Sequence, residues 1–376
     1  MGKAKRRAVA AGHICLDITP SISQERSFQN IGECLLPGHL VPVGRPDIHI
    51  GGSVGNTGLA MKLLGADVKL MGKVGEDDFG RLVLSGLETY GAGEGMQIAP
   101  GEETSYSVIL SVAGIDRVIL HDSGTNHTFD LEDVDFDLVK GASLFHFGYP
   151  PVMRGMYREE GAPLLEMLRR VKALGTATSL DMSMADEDSD AGAVDWEALI
   201  RRIMPYVDIF APSAEELAFL IDRPRYISWR ERSGDGDITE HLCVERDIRP
   251  LADRLLDWGA KIVLIKCGAP GLYLRTGDAA RLREAGGGLG DALSAWADVE
   301  HFERSYKPAR VLSATGAGDT SIAAFLCAIL EECPWEEALR LAAATGACCV
   351  ESYDALSGLK GFAELRRKIE AGWEKA

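Results

Sequence analysis

The sequence lacks any apolar run of the ~18–20 residues that a bilayer-spanning helix requires, so it predicts no membrane span. Its first seven residues, MGKAKRR, are basic, but the segment after them is too short and too mixed for a secretory leader. None of the eight cysteines forms a CxxC pair, and most sit inside apolar runs. That argues against zinc-ribbon and thioredoxin-type spacings and fits buried, reduced thiols in a cytoplasmic protein. Cationic residues are also scarce: 40 Lys and Arg face 57 Asp and Glu, for a formal net charge of −17. A surface that acidic repels phosphate backbones and anionic lipid, so neither nucleic acid nor a membrane is an expected partner. An anionic ligand would have to be met by a local cluster of cations or backbone amides.

What is present is a chain of 376 residues, 46% hydrophobic, long enough to bury a sizeable core. Apolar runs at 9–15, 68–74, 144–147, 177–180, 208–211, 261–266 and 272–274 read as strands. The first of them delivers Asp17 just past its end. Segments with helical spacing fall between and after these runs, at 57–64, 162–174, 196–204, 214–221, 248–258, 322–330 and 335–350. This alternation predicts an α/β fold with a doubly wound, mostly parallel sheet and helices on both faces. Such sheets bind ligands at the carboxyl ends of their strands. Two regions depart from the rhythm. Residues 25–50 alternate weakly and are broken by Pro37, Pro42 and Pro46, as exposed or edge strands can be. Residues 105–121 read as a β-hairpin turning at 113–116, part of a small sheet outside the main body. Residues 222–247, rich in charge and glycine, read as a solvated insertion, and AGGGLG at 285–290 as a flexible loop.

The strongest local chemistry lies in Thr315-Gly316-Ala317-Gly318-Asp319 ahead of an apolar helix. Small residues let the backbone bend tightly against a ligand, and a helix opening at about Asp319 would aim its free amides and positive dipole end at an anion. Asp319 reads equally well as an N-cap. The triplet is neither a dinucleotide fingerprint nor a Walker A loop. A second signal is Gly51-Gly52-Ser53-Val54-Gly55-Asn56, where paired glycines allow close approach and Asn56 offers both a donor and an acceptor. On its own it is also a glycine-rich turn with Asn56 capping a helix. His13 and His146 lie in strand-like runs and read as packing groups rather than metal ligands. The acidic run at 186–190 reads as a solvated loop. Lys266 ends a strand and reads either as a phosphate-neutralising cation or as half of an ion pair. His121 and Asn126 follow the hairpin and are candidates for substrate contact.

Taken together, GGSVGNTGLAMKLLGADVKLMGKVGEDDFG at 51–80 and ATGAGDTSIAAFL at 314–326 resemble the two signatures of the ribokinase-like (PfkB-type) carbohydrate kinases, in the right order. The resemblance runs from about residue 9 to 360. It implies a ribokinase-like body with a β lid, from about 17–50 and 102–128, over the sugar. It implies phosphorylation of an alcohol with ATP and Mg2+. By position it implies that Asp17, Gly51, Gly52 and Asn56 hold the substrate, that Gly316, Ala317 and Gly318 form an anion hole, and that Asp319 is the general base. Lys266, Gly268 and Thr315 would lie on the nucleotide side and Glu216 near the metal. Two positions depart from the family pattern: Ser313 stands where an Asp is usual, and Ser213 replaces the Asn of an Asn-x-x-Glu element whose Glu216 is kept. A nucleoside kinase, with Phe28 or Tyr106 stacking on a base, and a non-catalytic sugar or nucleotide sensor are the competing functions. A lid sheet with an apolar outer face further predicts a homodimer.

Overall fold

The computed structural model describes residues 6–22, 31–112, 117–234 and 236–376. Nine strands form one sheet in the order β13-β12-β11-β10-β9-β8-β1-β4-β5. In chain order these are β1 (Arg7–Gly12), β4 (Asp67–Gly75), β5 (Gly95–Ala99), β8 (Leu144–Gly148), β9 (Ala177–Asp181), β10 (Ile209–Phe210), β11 (Ile262–Lys266), β12 (Gly271–Thr276) and β13 (Glu300–Arg304). Pairing is parallel from β5 through to β11 and antiparallel at β12 and β13. The apolar runs predict this, because both faces of a central strand are buried. Along β1, Ala8 and Ala10 enter one core cluster while Val9 and Ala11 enter the other. Along β11, Ile262 and Leu264 part from Val263 and Ile265 in the same way. The helices Ala317–Leu330 and Trp335–Cys349 cover the first face, and Arg154–Ala173 and Ala214–Ile221 the second.

A separate four-stranded sheet, in the order β3-β2-β6-β7, is built from β2 (Cys15–Thr19), β3 (Asp47–Gly51), β6 (Tyr106–Leu110) and β7 (Val118–Asp122). The strands β6 and β7 pair antiparallel, as the hairpin reading requires. The expected turn at 113–116 lies outside the described residues.

Several boundaries move. The run read as one strand over 9–15 is two. Gly12 turns the chain at φ +121°, β1 stays in the large sheet, and β2 carries Asp17 into the small one. Between residues 31 and 50 only β3 is a strand, and Ile31–Cys34 is a short helix. Three prolines remove the backbone donors that a longer ladder would need. Residues 23–30 of that stretch lie outside the described residues. The helix expected over 57–64 begins at Gly52, so Asn56 sits within it, past the first turn, and does not cap it. The helix expected to start at 162 begins at Arg154 and is broken at 158–161. The segment read as a solvated insertion carries the helix Arg223–Ser233, with Trp229 buried and donating to Asp247. Residues 285–290 are held: Leu289 is buried, and the amide of Gly287 donates to the carbonyl of Gly175.

Candidate active site

The large sheet reverses its winding between β1 and β8, and a ligand cleft forms at the carboxyl ends of strands at such a point. Here those ends present His13 beyond β1, Tyr149 beyond β8, Asp181 at the end of β9 and Lys266 at the end of β11. The small sheet adds Asp17 from β2 and His49 from β3, which are register partners.

Asp319 stands at the centre. The helix opens at Ala317, with Gly316 at the cap in a left-handed conformation, φ +74°. A Cβ on Gly316 would lie 2.3 Å from that of Ala355, so the turn requires glycine. Asp319 is therefore in the first helical turn and not at the cap. Its carboxylate is buried and takes its hydrogen bonds from other elements. Asn56 Nδ2 donates to Oδ2 at 3.0 Å, the Tyr149 hydroxyl donates to Oδ1 at 2.6 Å, and Thr57 Oγ1 lies 3.4 Å from Oδ1. The N-cap reading fails on these contacts. Burial raises the pKa of Asp319 above the ordinary aspartate value, and Lys266 and the three donors pull against that rise.

The helix that carries Asp319 is fixed firmly, with twelve of its fourteen residues buried. Each large apolar side chain so placed contributes ~1.5–3 kcal/mol. At its start the Ala317 amide bonds the Ala314 carbonyl at 3.3 Å. The Gly316 and Gly318 amides remain as donors of a turn whose first N–H groups have no intrahelical acceptor. Of the three amides expected to face an anion, Ala317 is thus partly engaged. Ser313 Oγ accepts from the Thr315 amide at 3.1 Å and holds the turn where the family pattern has Asp.

Lys266 Nζ donates to Asp181 Oδ1 at 2.5 Å and lies 3.9 Å from Glu216 Oε2, beside Gly318. Burial opposes its charge, but Asp181, Glu216 and Asp319 outweigh that, and it stays protonated. Burial pushes Asp181 up despite the lysine. Glu216 and Ser213 form a reciprocal capping box at the start of Ala214–Ile221, so one Glu216 oxygen is committed to the Ser213 amide. Gly268 turns the chain after β11 at φ +64°, packed against Thr239.

Asp17 is buried. Cys15 Sγ donates to its Oδ1 at 3.2 Å, and His49 Nε2 lies 3.9 Å from Oδ2. Burial raises its pKa as well. The paired glycines fit this packing: a Cβ on Gly51 would lie 2.0 Å from Asp17 Oδ2, and one on Gly52 2.5 Å from His13 Nδ1. His13 Nε2 is 3.2 Å from His121 Nε2, and burial holds both imidazoles below the usual histidine range. His121 therefore reaches the site. Asn126 does not face a ligand, because it both accepts from the Ile14 amide and donates to the Ile14 carbonyl across the strand break. His146 is packing, held between Ser53 and Ser179, with a pKa of about 3 imposed by burial and Lys266. The run at 186–190 is mostly exposed, and no metal-holding cluster occurs among the described residues. Tyr106 packs edge-on against Phe79, and Phe28 lies outside the described residues.

Sequence reading singled out neither Tyr149 nor Asp181 nor Thr57. Asp181 ends a predicted strand, a signal that was there to use; Tyr149 is marked only by its place between a strand and Pro150-Pro151. Among the described residues, nine buried side-chain polar atoms lack a partner, and six of them belong to this site: His13 Nδ1, both nitrogens of His49, Asn56 Oδ1, Asp181 Oδ2 and Thr315 Oγ1. A buried polar atom left unpaired costs about 1–3 kcal/mol, so such a concentration marks a place where a polar ligand completes the bonding.

The chain matches the pfkB family carbohydrate kinase across residues 25–360. It is 25% identical to an uncharacterized sugar kinase of Archaeoglobus fulgidus, over 80% of this chain and 98% of that one. It is 24% identical to a 5-dehydro-2-deoxygluconokinase of Clostridium perfringens, over 93% and 89% of the two chains. Among solved structures, the Arabidopsis thaliana ribokinase complexed with ribose and ATP superposes with a TM-score of 0.68 at 20% identity, covering 97% of this chain and 98% of that one. The ribokinase-like body, the separate small sheet and the two signatures meeting at Asp319 agree with that match, and the chain belongs to the pfkB family of carbohydrate kinases.

Proposed function

We propose that the chain transfers the γ-phosphoryl group of ATP to a hydroxyl of a sugar or sugar-like alcohol, with Asp319 as general base. The observation that carries this is the setting of Asp319: a buried carboxylate on the first turn of a helix, one residue beyond the Gly316–Gly318 backbone, facing a site lined by unpaired polar atoms. A sugar hydroxyl is a poor nucleophile at neutral pH, and a positioned base contributes ~10²–10⁴-fold. As Asp319 takes the proton, the acceptor oxygen bonds the γ-phosphorus and the bond to the bridging oxygen breaks, releasing ADP. Charge growing on the transferred group is met by the Gly316 and Gly318 amides and by Lys266, which lies beside Gly318 and exchanges Asp181 for phosphate. Thr315 Oγ1, buried and unpaired, and the turn at Gly268 complete the nucleotide side.

Asp17 and Asn56 hold neighbouring hydroxyls of the acceptor. The free Asn56 Oδ1 supports this, since its Nδ2 is committed to Asp319. Gly51 and Gly52 let Asp17 and His13 close on the same space. A sugar is favoured over a nucleoside because the family match is to carbohydrate kinases. Bound with ATP, magnesium would supply neutralisation of phosphate charge. Glu216 is a hard oxygen donor beside Lys266, and its commitment to the Ser213 amide suits it to the outer shell, through water. The small sheet turns Ile48 and Leu120 to solvent on one face, in a row with half-buried Ile18 and Val108, an apolar face suited to a second copy of the chain. Eight free cysteines, seven of them buried, fit a reducing cytoplasm. The direct test is a panel of sugars, sugar acids and nucleosides incubated with ATP and magnesium, followed by coupled ADP release. ADP release with a sugar or sugar acid is expected; turnover of nucleosides alone would overturn the substrate assignment, and none with any acceptor would overturn the activity.

A further inference from the structure

We propose that Tyr149 is a positioning residue for Asp319, its phenolic hydroxyl fixing Oδ1 so that the carboxylate is held facing the acceptor before substrate arrives; this rests on the kinase reading above. Three features of the fold carry it.

The first is geometry. The hydroxyl lies 2.6 Å from Oδ1 while Asn56 Nδ2 lies 3.0 Å from Oδ2, so each carboxylate oxygen has its own donor from a different element. Rotating the carboxylate would break both bonds. A carboxylate has about four acceptor positions, and with Thr57 Oγ1 3.4 Å from Oδ1 as a third donor one remains open for the incoming hydroxyl.

The second is the backbone. Tyr149 is left-handed, φ 69° and ψ 41°, a conformation uncommon for a bulky side chain. Such strain persists only where the surroundings over-determine it. Here its amide donates to the Asp181 carbonyl at 3.3 Å, its carbonyl accepts from the Val152 amide at 3.1 Å, and Pro150 and Pro151 follow at once.

The third is the company it keeps. The Tyr149 ring lies 5.9 Å from that of His13, which itself meets His121, so the phenol joins the base to the substrate-side imidazoles. The charged and titratable groups that act on Asp319, besides Tyr149 itself, are Lys266 from β11, Asp181 from β9, Cys15 and Asp17 from β2 and Cys349 from the helix Trp335–Cys349. Tyr149 and Asn56 donate neutral hydrogen bonds to its carboxylate, and Thr57 stands within reach; such bonds favour its ionised form.

The test uses the full chain and Tyr149→Phe, which keeps the ring and removes only the hydroxyl. Aspartate carboxyls labelled with carbon-13 are titrated by NMR, and the Asp319 signal is identified by its absence in Asp319→Asn. Loss of a hydrogen bond to the charged form should move the Asp319 titration up by about one unit. The acid limb of the kcat profile should move with it. At neutral pH kcat should fall roughly 3–10-fold while KM for the acceptor changes less than about twofold, the pattern of a group acting on the reactive step. An unmoved Asp319 titration, or a loss confined to KM, overturns the proposal. If Tyr149→Phe does not fold, wild-type protein grown on 3-fluorotyrosine supplies a more acidic phenol. The Asp319 titration must then move down, and no movement overturns the proposal. Because the titration needs no turnover, it separates failure of this inference from failure of the kinase reading, which the acceptor panel decides.

Discussion

A carboxyl buried as deeply as that of Asp319 holds its proton to higher pH than a free aspartate, and two consequences follow. As a base it must be ionised, so kcat should fall on the acid side with a midpoint above the free aspartate value of about 3.9. A pH profile that stays flat down to that value would remove Asp319 from the reaction. The second consequence is for stability. A group whose folded pKa is raised gives stability that is fully present below its unfolded pKa and is lost as pH rises through the folded pKa. Ionised Asp319 therefore opposes folding at neutral pH. Asp319→Asn should melt at or above the wild type there, and the gap between the two should close on acidification; melting curves followed by circular dichroism across pH decide it. Asp17 sits in similarly buried surroundings and is proposed to hold the acceptor. Truncating it leaves acceptor hydroxyls unpaired, so Asp17→Ala should raise the acceptor KM by at least roughly tenfold. An unchanged KM would take Asp17 out of substrate binding.

At the scale of elements, the turn into the helix Ala317–Leu330 is where the fold fixes the chemistry. Gly316→Ala puts a Cβ at φ +74° and 2.3 Å from that of Ala355, whereas Gly175→Ala meets a similar φ of +79° with nothing within 4 Å. Left-handed strain alone costs roughly 1–2 kcal/mol. Gly175→Ala should lose about that in urea denaturation, and Gly316→Ala distinctly more, together with turnover as Asp319 shifts. Equal losses would show that the turn yields easily. This turn was legible in the sequence because small residues ahead of an apolar helix have few other uses. The parallel sheet was legible because apolar runs must be buried on two faces. Other features were not. The break after Gly12 falls inside a run, Val9–Cys15, that is apolar except for His13, and only pairing partners distant in the chain decide that β2 leaves the large sheet. Asn56 looked like a cap because local spacing cannot reveal that Asp319, 263 residues on, takes its side chain. Tyr149 gave no periodic or compositional signal; its role depends on a left-handed backbone that neighbours impose. The segment 222–247 is mostly exposed, as its charge implies, but composition did not show the helix Arg223–Ser233 or the single buried residues, such as Trp229 and Ile238, that hold it down.

For the whole molecule, the net charge of −17 and the few buried cations divide the labour. In the proposed reaction a surface this acidic opposes polyanions, and Lys266 with the helix amides would supply the positive potential that ATP phosphates need. The exposed Ile48 and Leu120, on one face of the small sheet, predict a dimer, and light scattering should give twice the chain mass of 40.6 kDa. A single-chain mass at micromolar concentration would leave that face without a partner copy. The central claim is that this fold brings a nucleotide, an acceptor and Asp319 together for phosphoryl transfer. The most direct measurement is a side-by-side comparison of wild type and Asp319→Asn with the best acceptor, ATP and magnesium, scoring binding of both ligands and the rate of transfer. The account predicts a folded variant that binds both and transfers at least ~100-fold more slowly; transfer at close to the wild-type rate would contradict it.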